Sequence, residues 1–196
     1  MSSEGARGEA RVEEPTAAER GVVRRAAESR ATVPVLELAV ERAEPASTAR
    51  LVRACALALR EHPRANAAYR DGRFELYSRV NVGVVVASAD TYVIPTVFDA
   101  DQKPPVELED ELAALTAGAL AGELAAPAFT GATFTLWNAA EHGIASAGIP
   151  VVAPQAGALA AGTRALTLCC DHRILYGARA AGLLKSITDH LDRDGI

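Results

Sequence analysis

A chain of 196 residues, nearly half of them apolar (49%), is long enough to bury one sizeable core, so a single domain is expected. Its 25 acidic against 20 basic residues argue against a nucleic-acid partner, because the counterion release that drives such binding needs a basic surface. The three cysteines, Cys55, Cys169 and Cys170, are odd in number and build no disulfide framework. No metal-ligand spacing, signal-peptide region or bilayer-length apolar run is present, so a metal-free, soluble protein of the reducing cytoplasm with no membrane partner is expected.

Residues 1–14 hold almost nothing apolar and are expected to form a disordered arm ahead of one domain over residues 15–196. Pro15 opens a helix over residues 16–29, with Val22, Val23 and Ala26 on its inner side and Arg20, Arg24 and Arg25 on its outer side. Such basic faces are usually only solvated. The functional alternative makes Arg20 and Arg24 contacts for the phosphate of a nucleotide-bearing cofactor.

Residues 31–43, rich in Val and Leu, read as a strand, and residues 48–60 as an amphipathic helix ended by His62-Pro63. Asp71-Gly72 signals a hairpin between residues 67–69 and 74–77. Residues 80–87 and 92–98 read as strands paired across a turn at 89–91. A helix over 106–123 directs Leu108, Leu112, Leu115 and Leu120 inward. Strand-like residues 129–136 then lead into Trp137, Asn138 and a loop holding His142, and residues 149–153 read as another apolar strand. A short buried strand over 165–170 precedes a helix that runs from Ala178 through Leu191.

Between that last strand and helix sits Asp171-His172-Arg173. A histidine held by elements on both sides suits a general base, since an unperturbed imidazole titrates near neutral pH. A plain turn residue fits the local sequence equally well. His142 is the competing histidine. Thr135, Asn138, the indole N–H of Trp137 and backbone amides are all donors able to hold a developing oxyanion.

The run D-H-R-I-L-Y-G-A-R-A-A-G-L-L resembles the D-H-R-x-x-D-G-A-x-x-A-x-F-L signature of the catalytic domain of 2-oxoacid dehydrogenase E2 acyltransferases. E-S-R-A-T-V-P-V-L-E-L, H-P-R-A-N and F-T-G-A-T-F-T-L are similar to further motifs of that family in the same order, so the likeness spans residues 16–191. It implies an α/β (α+β) fold: a chloramphenicol acetyltransferase-like two-layer sandwich, with a mixed sheet flanked by helices. It also implies a homotrimer whose acyl-transfer channel lies between subunits. His172 would deprotonate the acceptor, which attacks an acyl thioester carried by acetyl-CoA or an acyl carrier protein as co-substrate.

The likeness has departures: the glycine usual before the strand at 92–98 is replaced around Thr91-Tyr92, and three others bear on the site or its channel. Trp137 stands where the family carries serine, Tyr176 where it carries Asp or Asn, and a helix usual after residue 44 is absent. Catalysis is therefore expected from His172 with Asn138 and Thr135, and acceptor binding from Trp137, Tyr176 and His142. Because the chain begins almost directly at this domain, its acceptor is expected to be a separate small molecule. A hydroxyl in secondary-metabolite, polyketide-type biosynthesis is the leading reading. The alternatives are a non-catalytic trimeric scaffold and a condensing or cyclising enzyme acting on a carrier-protein thioester. The polar tail over 192–196 is expected to stop assembly at three subunits.

Overall fold

The computed structural model describes residues 10–87 and 91–193. Residues 1–9 of the expected arm, two residues of the expected 89–91 turn and the last three residues of the tail lie outside that range. Residues 10–14 are exposed and belong to no helix or strand. In chain order the elements are α1 (Ala17–Thr32), β1 (Val35–Glu41), α2 (Thr48–Glu61), β2 (Ala67–Arg70), β3 (Arg73–Leu76), β4 (Val82–Val84), β5 (Val86–Ala87), β6 (Tyr92–Val93) and β7 (Thr96–Val97). Then come α3 (Pro105–Ala121), β8 (Phe134–Asn138), β9 (Gly157–Ala161), β10 (Ala165–Asp171) and α4 (Gly177–Arg193).

Local chemistry explains the boundaries. Thr16 caps α1 in a capping box with Glu19, and Ser47 caps α2 through its hydroxyl. Asp71 and Gly72 both take positive φ (49° and 76°), as a two-residue hairpin turn demands, and join β2 to β3. After α2, the Asn66 side-chain amide donates to the carbonyls of Tyr77 and Arg79 at 3.0 and 2.8 Å, so this buried asparagine ties the turn to the next segment.

Six strands form one sheet in the order β1-β10-β9-β8-β4-β7. β8 runs parallel to both β4 and β9, and the other pairs are antiparallel, which makes the sheet mixed. Because side chains alternate along a strand, the sheet has two unlike faces. Phe134, Leu136, Leu166 and Leu168 join the main core with Leu51, Val52 and Leu59 of α2, Leu108 of α3, and Leu183 and Ile187 of α4. Each such side chain is fully or nearly fully buried, worth about 1.5–3 kcal/mol apiece in transfer free energy. Thr135 and Trp137 point to the opposite face, which α1 covers only in part.

Several expectations are corrected here. The strand expected over 80–87 is two pieces: Val85 N–H donates to Leu136 O, while β5 leaves the main sheet to pair with β6. Residues 149–153 form no strand. Pro150 has no N–H and Ile149 N–H goes to the Cys169 sulfur, so the ladder begins only at Gly157, where the Cys169 carbonyl sits 3.2 Å from where a Cβ would stand. Leu120 is 58% exposed instead of inward, and so is Val23 at 63%. Asp192 and Arg193 continue α4 instead of opening a tail.

Candidate active site

His172 sits where β10 hands over to α4. Asp171 is buried and its carbonyl accepts the N–H groups of Ile174 and Leu175, which turns the chain sharply. Its carboxylate accepts the Arg173 backbone N–H at 2.9 Å and is gripped by the Arg173 guanidinium, with Nη2 at 2.6 Å and Nε at 2.9 and 3.1 Å. This fork pushes the Arg173 pKa above its ordinary value, chiefly through the hydrogen bond to Asp171. The same guanidinium lies 5.1 Å from the centre of the Tyr69 ring. On the other side, His172 N–H donates to Pro34 O at 2.8 Å. The backbone of His172 is thus fixed from both flanks, while its side chain is exposed and the imidazole has no hydrogen-bond partner among the described residues.

The other expected residues are not gathered around it. Asn138 pairs with Ala161, which pairs with Leu166, so Asn138 lies level with the far end of β10. Six residue steps of about 3.3 Å, roughly 20 Å, separate that level from His172. Asn138 also faces the helical layer: its amide reaches Thr48 Oγ1 at 2.9 Å, Glu141 Oε1 at 3.2 Å and Ala46 O at 3.3 Å. Thr135 is fully buried and donates its hydroxyl to Gln155 Oε1 at 2.7 Å. The donors of both residues are therefore engaged within the fold. His142 is exposed on a 3-10 turn after β8, and Tyr176 is 52% exposed beside Arg179.

Trp137 is half-buried and stands outside the hydrophobic core. It lines a cavity of about 210 Å³ on the face of the sheet away from α2, α3 and α4, with Val85, Ile94, Ile149 and Val151 as apolar walls and Tyr92 as a second ring. A neighbouring cavity of about 340 Å³, which includes Thr135 and Gln155, shares Arg25, Tyr92, Ile94 and Val152 with it. Arg20 and Arg24 border neither cavity, and Arg20 donates to Pro15 O at 2.5 Å.

The arginine of α1 that turns inward is Arg25. Sequence reasoning placed it on the solvated side because it judged the helix by its valines. The signal was the small residues Ala18 and Gly21, at helical spacing from Arg25, which let the backbone approach the sheet. Tyr92 was likewise read only as a strand residue.

The thiols give no nucleophile to rival an activated acceptor: burial pushes Cys55 and Cys170 up to about 12 and raises Cys169 as well. Among the described residues, no three His, Cys, Asp or Glu side chains cluster as metal ligands, and no helix is long and apolar enough to cross a membrane.

Comparison with known proteins agrees with this architecture. Over 162 residues the chain is 30% identical to dihydrolipoyllysine-residue acetyltransferase component 3 of the mitochondrial pyruvate dehydrogenase complex of Arabidopsis thaliana; the match covers 72% of this chain but 30% of that relative's length. In fold it is similar to the dihydrolipoamide acetyltransferase of Azotobacter vinelandii, whose structure was used to investigate a serine, a histidine and an asparagine in its catalytic mechanism. The TM-score is 0.88 at 23% identity, covering 97% of this chain and 95% of the other. Chloramphenicol acetyltransferase shares the fold more distantly, with a TM-score of 0.54 and 14% identity over 82% of this chain and 89% of its own. The family model for the catalytic domain of the 2-oxoacid dehydrogenases acyltransferases matches residues 23–194, nearly the whole described chain, and the chain belongs to that family.

Proposed function

We propose that the chain is an acyltransferase that moves an acyl group, acetyl in the simplest case, from a thioester donor to a hydroxyl on a small ring-bearing molecule. It would act as a homotrimer whose channel lies between subunits. The observation that carries this reading is the geometry of His172. Its backbone is pinned by Pro34 and by the Asp171–Arg173 fork, yet its side chain is exposed, has no partner among the described residues and does not line the cavity that holds Trp137. A base so placed is free to act on groups brought to it by a second copy of the chain.

In that arrangement His172 takes the proton from the acceptor hydroxyl as its oxygen attacks the thioester carbonyl. The carbonyl electrons move onto oxygen, then return as the carbon–sulfur bond breaks, and the thiolate leaves with the proton from the imidazolium. With the donors of Thr135 and Asn138 engaged, the indole N–H of Trp137 is the side-chain donor left to hold the oxyanion. Trp137 stands where the family motif carries serine. Its bulk favours a flat acceptor over the dihydrolipoyl thiol arm that the relatives' name implies. A ring hydroxyl of the kind found in polyketide-derived metabolites fits that wall, with coenzyme A or an acyl carrier protein as donor.

Mass spectrometry of the protein incubated with acetyl-CoA and a panel of ring alcohols, with dihydrolipoamide as the competing acceptor, tests the reading. Acylated ring product is expected. Acylation of dihydrolipoamide alone would return the chain to its relatives' reaction, and binding without turnover would make it a scaffold.

A further inference from the structure

Arg25 is the one charged residue among the described residues lining the two cavities beneath α1. Its Nε–H is buried without a hydrogen-bond partner, and no ion pair holds its guanidinium among the described residues. Its contact is with the Tyr92 ring, whose centre lies 5.5 Å from Cζ. A buried guanidinium donor left unmatched is unfavourable, so a ligand acceptor placed there would be favoured. The part of the cleft that Trp137 lines is otherwise largely apolar, with Val85, Ile94, Ile149 and Val151 beside the Tyr92 and Trp137 rings. At about 210 Å³, the part lined by Trp137 lies below the 300–1,000 Å³ typical of drug-sized pockets.

We propose that this cleft recognises a compact ring-bearing carboxylic acid, with the carboxylate held by Arg25 and the ring lodged between Tyr92 and Trp137. The planar guanidinium fork matches a carboxylate in geometry, and the ring faces match the apolar remainder. The inference rests on the acyltransferase reading in one respect: it names the acceptor of that reaction as a hydroxy acid of this shape. The binding itself does not depend on turnover.

Three probes without any acyl donor therefore test the cleft directly: 4-hydroxybenzoate, its uncharged amide 4-hydroxybenzamide, and pivalate, which has the charge without a flat ring. Calorimetry on the intact protein is expected to show 4-hydroxybenzoate binding about tenfold or more tightly than either of the others. Arg25→Gln is expected to erase the preference for acid over amide, and Arg25→Lys to keep part of it. Equal binding of acid and amide by the parent protein would overturn the proposal even if Arg25→Gln failed to fold. So would an undetectable interaction with 4-hydroxybenzoate, as expected if a neighbouring copy of the chain fills the cleft. Binding of the acid as described, with no acyl transfer to it from either acetyl-CoA or an acyl carrier protein thioester, would leave the site standing and remove the acyltransferase reading.

Discussion

The two faces of the central sheet follow different rules. On the helical face Phe134, Leu136, Leu166 and Leu168 meet α2, α3 and α4 in a continuous core of fully or nearly fully buried side chains. On the other face, one residue along the same strand, Thr135 and Trp137 meet cavities, a single short-side-chain approach from α1 and an unmatched arginine. The helical face is closed around Phe134 and Leu136 and opens at its Asn138 end, where cavities of about 470 and 480 Å³ reach Thr48, Leu112 and Glu141. On the other face the cavities reach the middle of β8 itself, and the residues there are ones that hydrophobicity alone does not place.

That contrast can be broken first by mutation along β8. Phe134→Ala opens a cavity in the packed face and is expected to cost about 3–5 kcal/mol, lowering the melting temperature by roughly 10 °C or more in a thermal scan. Trp137→Ser, three residues on but facing the open side, is expected to cost about 1–2 kcal/mol and to raise the acceptor KM instead. A Trp137→Ser protein as unstable as the Phe134 variant, with KM unchanged, would put the indole in the structural core.

His172→Ala sharpens the contrast from the catalytic side. The imidazole has no hydrogen-bond partner among the described residues, so its loss is expected to leave melting and oligomeric size alone while kcat falls by about 100-fold or more. Light scattering alongside steady-state kinetics separates a lost base from a lost assembly.

The sequence reading succeeded where local chemistry suffices. Asp71-Gly72 announced its hairpin because few other pairs tolerate two positive φ values, and α2 and α4 carried an unbroken apolar face. It failed at α1, where the inward face is made of Ala18, Gly21 and Arg25 and no apolar stripe marks it. It failed again over residues 149–153, where apolar content mimicked a strand but Pro150 removed a needed donor. His172 was legible as a junction residue. Its distance from Asn138 was not, because strand register is a long-range property that no window of sequence contains.

The smallest expected effects lie at the periphery of the packed face. Glu61 is held below the usual carboxylate range, first by the Ser186 hydroxyl and then by the positive charge and hydrogen bond of His190, whose Nε2 lies 3.0 Å from Glu61 Oε1. A depressed carboxyl stabilises the fold above its unfolded pKa, and the benefit is lost as pH falls through the folded value. The melting temperature is therefore expected to drop slightly more for the parent than for Glu61→Gln between neutral and acid pH. Parallel curves would show that the α2–α4 contact does not sense Glu61.

The central claim is that the base and the acceptor cleft of one reaction come from different copies of the chain. Subunit mixing tests it most directly. His172→Ala removes the base, and Trp137→Glu is designed to set a carboxylate beside Arg25 and block the cleft. Each alone should be inactive. Unfolded together in equal amounts and reassembled, random trimers would carry both intact halves at about one interface in four, so about a quarter of the parent activity should return. Activity that stays at the level of the separate variants would contradict a shared site and place the whole reaction within a single chain.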